Sequence, residues 1–374
     1  MTHVTTDPAT HVSSSIHDAP MRAVLQSGYG TTDVFRIGTT ARPAPGPGEV
    51  LVRVAAAGLD RGTWHLMTGR TYLMRIMGFG FRAPKEPVPG LDLAGTVVEI
   101  GAGVTRFRVG DEVFGIGRGT FAELARARED KLVKKPASLT FDEAAVLAIS
   151  GGTALQALEA VAPTRGERVL VIGASGGVGT YAVQLAKALG ASVTGVASTA
   201  KLETVLAAGA DRVIDYTAED FADGATTYEV IVDIGGGASL RRLRRALTPT
   251  GRLVFVGNEH GGDWSAGFGR PLLALALSPF VRQRFVILTA KEHHTHLEKL
   301  AAFVERGEVT PIIDRRVSLA GVVPALQDME AGRIRGKVVI SPGQELASAA
   351  GAGIRRSNQN VPKGRSEAMT PRIR

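Results

Sequence analysis

The chain contains no cysteine. That absence removes disulfides, thiol nucleophiles, Cys-ligated zinc and iron–sulfur clusters together. It also lacks a long apolar run. Leu272–Val281 comes nearest, and Ser278–Pro279 interrupts it, well short of the ~18 residues that a membrane helix needs. The first twenty residues hold two Asp, no Lys or Arg and no apolar stretch, so no secretory leader is expected there. What remains is ordinary for a globular protein: 374 residues, 44% hydrophobic and 21% charged. That is enough for one or two domains and too apolar for disorder. A soluble, cytoplasmic, enzyme-sized protein is expected.

The formal net charge is +8, but it is spread out. The segment 343–374 carries Arg355, Arg356, Lys363, Arg365, Arg372 and Arg374 against Glu345 and Glu367. The one dense internal cluster is Arg241-Arg242-Leu243-Arg244-Arg245. Its spacing puts Leu240, Leu243 and Leu247 on the opposite side, which predicts the wet face of a helix rather than a nucleic-acid footprint. A basic chain of this kind also attracts anionic cofactors.

Two textures alternate along the sequence. Residues 1–20 and 343–374 lack periodic apolar positions and are expected to be disordered tails. From 21 to about 135 the chain is strand-rich, with runs at Val50–Ala55, Leu93–Ile100 and Glu112–Ile116 separated by Gly and Pro, as in a compact barrel-like β domain. From about 141 the apolar spacing becomes helical. From 166 strand and helix alternate: strands at Arg168–Ile172, Ala191–Val196, Arg212–Ile214, Glu229–Ile234, Arg252–Val256 and Phe285–Leu288, helices at Thr180–Leu189 and Lys201–Ala208. Such alternation predicts an α/β fold with a doubly wound parallel sheet. After a helix around 293–306 the pattern reads as β again, at Val309–Val317 and Lys337–Ile340. The predicted organisation is therefore a nucleotide-binding unit, 151–290, inserted between two pieces of a β domain, 21–150 and 291–342.

The strongest signal is the run Val169-Leu-Val-Ile-Gly173-Ala174-Ser175-Gly176-Gly177-Val178-Gly179, which leads into Thr180-Tyr-Ala-Val-Gln-Leu-Ala. An apolar strand ends in a Gly-rich turn that opens a helix. Positions without side chains let backbone approach a pyrophosphate, and the helix N-terminus offers it free amides and a positive dipole. Gly179 lets the helix pack close to the strand. The surrounding strand–turn–helix pattern makes this a dinucleotide-binding loop. At the end of the next strand an NAD site places Asp or Glu. Here the stretch is Gly195-Val-Ala-Ser198-Thr199-Ala-Lys201, with no acid before Glu203. Two hydroxyls and a cation suit a 2′-phosphate, so NADP(H) is favoured over NAD.

These residues resemble the medium-chain dehydrogenase/reductase superfamily, in its zinc-independent quinone oxidoreductase (zeta-crystallin-like) branch, to which NAD(P)-dependent alcohol dehydrogenases are also assigned. The similarity spans roughly 21–342 and rests on Pro89-Gly-Leu-Asp-Leu-Ala-Gly95, Gly110-Asp-Glu-Val-Phe-Gly115, Gly119-Thr-Phe-Ala-Glu123, Gly152-Thr-Ala-Leu-Gln-Ala157, the Gly173–Gly179 loop, Leu206–Tyr216 and Gly336-Lys-Val-Val-Ile340. It implies a Rossmann sheet inserted in a GroES-like barrel domain, and homodimers are common among such proteins. Zinc-dependent relatives carry Gly-His-Glu where this chain has Gly90-Leu91-Asp92, so no metal is expected. His293, His294 and His296 read as a solvated helix, His293 and His296 sharing a face, rather than as a metal cluster.

Carried over by position, the resemblance implies that Gly176, Gly177 and Val178 present backbone to the pyrophosphate, beside Ala174 and Ser175. Ser198 and Lys201 would hold the 2′-phosphate, with Tyr216 stacking nearby. Thr153 would approach the nicotinamide, Asp233, Val256, Gly257 and Asn258 would line the sheet's carboxyl edge, and Lys337 would close over the cofactor. The catalytic end matches less well. Zeta-crystallin-like enzymes read Asn-Pro-x-(Asp/Glu)-Thr-Tyr where this chain has Asp60-Arg61-Gly62-Thr63-Trp64-His65. Asp60 thus replaces Asn, and His65 stands where a Tyr faces substrate. His65 either polarises a carbonyl and delivers a proton or only hydrogen-bonds within its loop. Tyr72 is a second candidate donor, and residues 70–81, rich in Met and Phe, either line an apolar substrate slot or simply pack.

The expected activity is NADPH-dependent hydride transfer to a quinone, an enone or another activated carbonyl, with substrate in the cleft between the domains. Reversible alcohol/ketone oxidoreduction is the alternative. A non-catalytic NADPH-binding protein, structural or RNA-binding, is the third reading.

Overall fold

A computed structural model describes residues 19–69, 83–257 and 269–343. The first part of the chain forms β1 (Met21–Gln26), β2 (Phe35–Thr40), β3 (Glu49–Leu59), α1 (Arg61–Thr68), β4 (Asp92–Ile100), β5 (Glu112–Ile116), β6 (Leu124–Arg128) and β7 (Leu132–Lys134). Two helices follow, α2 (Phe141–Ala144) and α3 (Ala148–Val161). Alternation then begins: β8 (Arg168–Ile172), α4 (Gly177–Ala188), β9 (Ser192–Ala197), α5 (Leu202–Ala207), β10 (Arg212–Asp215), β11 (Tyr228–Asp233), α6 (Leu240–Ala246), β12 (Leu247–Phe255), α7 (Gly269–Leu277) and β13 (Arg284–Ile287). The chain closes with α8 (His294–Glu305), β14 (Ile313–Ser318), α9 (Val322–Glu330) and β15 (Lys337–Ser341).

The six strands β8–β13 are all parallel, in the order β10-β9-β8-β11-β12-β13. In chain order that is 3-2-1-4-5-6, the doubly wound dinucleotide arrangement, with its switch point between the first and fourth strands. Both faces are covered, and the strand period of two explains how. Val169, Val171, Val230, Val232 and Val254 join one core with α3, α4 and α8. Leu170, Ile172, Ile231, Leu253 and Phe255 alternate with them into a second core with α6 and Ala274 of α7. The basic helix behaves as its spacing predicts: Leu240, Leu243 and Leu247 are buried, and Arg241, Arg242 and Arg245 are exposed.

The seven-stranded sheet has the order β14-β15-β3-β4-β5-β7, with β6 also pairing β3. Only β14 and β15 run parallel. Its own core holds Val50, Val52, Leu93, Val97, Phe121 and Ile340. Phe114, Ile116 and Val133 instead share the core that lies under α3 and α4, so apolar packing is continuous from one sheet to the other.

One strand expectation needs correction. Val309–Val317 is not one strand: β14 starts at Ile313, two residues after Pro311, which cannot donate to a ladder. Between β14 and β15, where the sequence pattern assigned no element, the chain forms α9. An unforeseen helix, α1, also occupies the stretch after β3. Its interior includes Gly62, Thr63 and Trp64, poor helix formers, but both ends are capped. Asp60 accepts the Thr63 amide at 2.8 Å, and Gly69, left-handed at φ 54°, donates to the His65 carbonyl at 3.0 Å. The boundary drawn at 150/151 falls inside α3. That drawn at 291 precedes α8, whose Leu297 and Leu300 pack in the core of the parallel sheet.

Candidate active site

The glycine loop is squeezed from three sides. Gly173, at φ 86°, turns the chain out of β8. A Cβ on Gly179 would lie 2.2 Å from the Gly173 carbonyl oxygen, so only glycine lets α4 start this close to the strand. A Cβ on Gly177 would lie 2.8 Å from Lys337 Cδ and 3.0 Å from Ser150 Oγ. On the third side, Gly336 bridges Gly176 and donates its amide to the Ser175 carbonyl at 2.8 Å. Ala174 is fully buried and Val178 packs into the core, so the loop turns backbone rather than side chain outward. No side chain caps α4, whose N-cap is Gly176. A helix N-terminus with uncapped amides, in a cradle that any Cβ would fill, fits a dinucleotide pyrophosphate.

Beneath this loop lies a buried ionic cluster. Lys337, the first residue of β15, is 2% exposed, and its Nζ donates to Asp92 Oδ2 and to Ser150 Oγ, both at 3.1 Å. The other oxygen of Asp92 accepts the Ile149 amide at 2.8 Å, so a strand residue caps the first turn of α3. Asp60 lies nearby, its oxygens accepting the amide and hydroxyl of Thr63 at 2.8 and 3.3 Å. Burial, opposed by the Lys337 ammonium, holds the Asp60 carboxyl above its usual range. Burial likewise pushes Asp92 up to about 7; Lys337 opposes that rise and the Asp60 charge adds to it. Tyr181 closes the cluster from α4, donating to the Val146 carbonyl at 3.0 Å. Burial drives its phenol well above the usual value.

The end of β9 presents a second polar group, this one open to solvent. The Thr199 hydroxyl bonds Asp215 and also Thr217, 3.1 Å away, while Thr217 donates to Asp215 through its amide at 3.0 Å and hydroxyl at 2.7 Å. These bonds, that of Thr199 foremost, hold the Asp215 carboxyl below its usual range. Ser198 is half-buried beside them, and Tyr216 is exposed. Lys201 Nζ donates at 2.7 Å to the Ile334 carbonyl, on the segment that leads to Gly336.

The remaining sequence candidates are scattered. Asp233, on the carboxyl edge of the sheet, is fully buried, paired with Arg270 Nη1 at 2.9 Å, and accepts the Gly236 amide. Val256 and Gly257 follow β12, their amides turned to the Asp233 carbonyl. Thr153 is half-buried on α3. His65 is half-buried on α1, its ring edge-on to Trp64 with centroids 5.1 Å apart. Asn258, Tyr72 and the Met- and Phe-rich stretch lie outside the described residues. His293 is the N-cap of α8 rather than part of it, so it shares no helical face with His296. His296 instead approaches Glu159 at 3.8 Å, and burial lowers its pKa.

Sequence reasoning assigned no role to Asp92, Ser150, Arg270 or Asp215. Asp92 carried a signal, an acid inside the apolar run Leu91–Val98, which a buried strand tolerates only with a partner. The partners of Ser150 and Arg270 are non-local and leave no such trace.

Comparison with known proteins places this architecture. The alcohol dehydrogenase GroES-like domain family matches residues 46–137, and the zinc-binding dehydrogenase family matches 208–340. A 2-methylene-furan-3-one reductase from Solanum lycopersicum is 35% identical over 89% of this chain and 82% of its own length. The chain belongs to the medium-chain dehydrogenase/reductase superfamily, in its quinone oxidoreductase branch. An NADPH-dependent alkenal/one oxidoreductase from Arabidopsis thaliana is 31% identical over 86% of this chain and 80% of its own length. The quinone oxidoreductase structure from Coxiella burnetii superposes with a TM-score of 0.77 at 27% identity, covering 87% of this chain and all of that one. The chain is thus an NAD(P)H-dependent oxidoreductase. Among its described residues no helix is long and apolar enough to cross a membrane, and no three His, Asp or Glu gather as a metal site.

Proposed function

We propose that this oxidoreductase uses NADPH, works without zinc, and reduces quinones or enones. The observation that carries the reading is the cradle at the start of α4, where glycine backbone, Lys337 and Ser150 converge. When bound, the nicotinamide supplies a hydride. The uncapped amides of Gly177 and Val178 bind the pyrophosphate, with Lys337 adding positive charge from below. Ser198 and Lys201 hold the ribose 2′-phosphate, at the end of a strand whose own stretch 195–201 carries no acid, while Asp215 of the neighbouring β10 engages the Thr199 hydroxyl. Thr153 borders the nicotinamide end, and His65 on α1 delivers the proton that follows the hydride. The names of the tomato and Arabidopsis relatives support an activated C=C acceptor, and that of the Coxiella structure supports a quinone. A chain without cysteine, whose Asp92 is engaged by Lys337, supports metal-free chemistry. Exposed Leu272, Leu273 and Phe280, beside β13, which among the described residues is the edge strand of its sheet, support a homodimer.

Fluorescence titration with NADPH and NADH, followed by absorbance-monitored oxidation with a panel of quinones and enones, tests this reading. NADPH is expected to bind at least ~10-fold tighter, the value of one charge-assisted contact. His65→Phe should lower kcat by ~10²-fold or more and leave NADPH affinity unchanged. Equal affinity for NADH, or no turnover with any acceptor, would refute it.

A further inference from the structure

Three charged side chains lie together at one end of the seven-stranded sheet, sealed from solvent. The ladder pairs Leu59 with Val338 and Gly58 with Asp92, so Asp60, Lys337 and Asp92 sit at the same end of three neighbouring strands. They are 4%, 2% and 0% exposed. One ammonium therefore serves two carboxylates. Around them α3 contributes no ionisable group, only the Ile149 amide and the Ser150 hydroxyl. From α4 comes the Tyr181 phenol, committed to a carbonyl. On α1, Arg61 lies over the Trp64 ring at 5.1 Å and His65 packs against that ring's edge. Two ionised carboxylates with one ammonium leave a net negative charge in a medium that cannot solvate it. Such a pair avoids this by keeping one proton.

The cluster lies directly under the glycine loop, since the Lys337 stem occupies the space a Cβ on Gly177 would take. An anionic cofactor on that loop draws on the same ammonium that neutralises the carboxylates. We propose that Asp60 and Asp92 form a proton-holding pair, and that binding of the dinucleotide pyrophosphate is coupled through Lys337 to uptake of one proton by this pair. The inference rests on the cofactor reading above and deepens it. Its only covalent change is one carboxyl O–H bond, formed with a proton from solvent. Asp60 is a positioning residue here, acting through Lys337 rather than on the cofactor.

The raised Asp92 and Asp60 carboxyls agree with this geometry. Below about pH 7 the pair holds its proton and Lys337 is balanced, so the dinucleotide meets a neutral cluster. As pH rises through that value the proton leaves, the cluster becomes net negative, and binding has to restore the proton. Affinity then falls with rising pH, toward the limit of about tenfold per pH unit for one linked proton.

Calorimetric titration of the full chain with NADPH at pH 8, in phosphate and in Tris, counts protons from the difference in heat. The 2′-phosphate of NADPH titrates near ~6, and comparison with Asp60→Asn at the same pH cancels its contribution. Asparagine still accepts the Thr63 amide, and Asp60→Ser, a second capping variant, guards against a folding defect in either. The wild type should take up about one proton more than either variant and lose roughly tenfold or more in affinity between pH 7 and 9. Both variants should change by less than about twofold. In the cofactor-free wild type a carboxylic-acid infrared band should vanish over the same pH range. Equal proton counts in wild type and variants, or flat wild-type affinity, would overturn the proposal while leaving the cofactor reading intact. Absence of NADPH binding at every pH would overturn both.

Discussion

Asp92 and Asp215 belong to two polar clusters, one buried beneath the glycine loop and one exposed at the end of β9, and their carboxyls shift in opposite directions. Asp92 has an ammonium at 3.1 Å and an amide at 2.8 Å, yet burial carries it up to about 7. Asp215 has only hydroxyls and an amide, yet their hydrogen bonds, that of Thr199 foremost, hold it below its usual range, since open water adds little desolvation penalty to oppose them. Partner quality therefore does not decide the direction. In the buried cluster the count of charges decides: two carboxylates share one ammonium. At the exposed end each hydrogen bond acts locally and solvent screens the rest. Stability and pH dependence should concentrate at the buried end, and cofactor preference at the exposed one.

Lys337 is where this contrast breaks most severely. Lys337→Met leaves Asp60 and Asp92 buried without a counter-charge and should destabilise the fold by roughly 3–5 kcal/mol, read by urea unfolding. A loss under ~1 kcal/mol would mean that the carboxylates are neutral without it. Gly177→Ala should come next. Its Cβ falls 2.8 Å from Lys337 Cδ and 3.0 Å from Ser150 Oγ, so overpacking of about 1–3 kcal/mol is expected. NADPH affinity should drop at least ~10-fold in fluorescence titration as the cradle is displaced. The smallest effect belongs to Asp215→Asn. Its thermal midpoint should match the wild type, while the preference for NADPH over NADH rises ~2- to 5-fold as an exposed negative charge leaves the strand end. A large change in thermal midpoint would show that the exposed cluster is structural after all.

The parallel sheet and its glycine loop were legible because their signals are local: an apolar run, a Gly-rich turn and a helical period within Val169–Leu185. Helix α1 was missed because Gly62, Thr63 and Trp64 argue against it. The bracket of Asp60 before and Gly69 after was the available sign. Helix α9 begins Val322-Val-Pro324, which reads as β or turn, although proline is tolerated in a first helical turn. The cradle was visible only in part. Lys337 was reached through the family resemblance alone, and its partners were not reached at all, since Asp92 lies 245 positions away and Ser150 187. No periodicity in a single sequence encodes pairings that distant. Lys201 shows the same gap: the sequence offers it to a 2′-phosphate but carries no sign that its ammonium also reaches the Ile334 carbonyl, 133 positions away.

The placement of Lys337 in the last strand has a consequence for how the chain is born. On a ribosome adding 5–20 residues per second, the 245 positions between Asp92 and Lys337 take roughly 10–50 s to synthesise. Throughout that interval β3 and β4 exist without the strand that carries their counter-ion. Asp92 and Asp60 must stay hydrated or protonated until β15 emerges, which keeps that sheet end open even after β13, the last-made strand of the parallel sheet, has been synthesised. Closure of the first-made domain therefore waits for the last-made strand, and a nascent chain stalled before residue 336 would lack both the counter-ion and the bridge that pins the glycine loop.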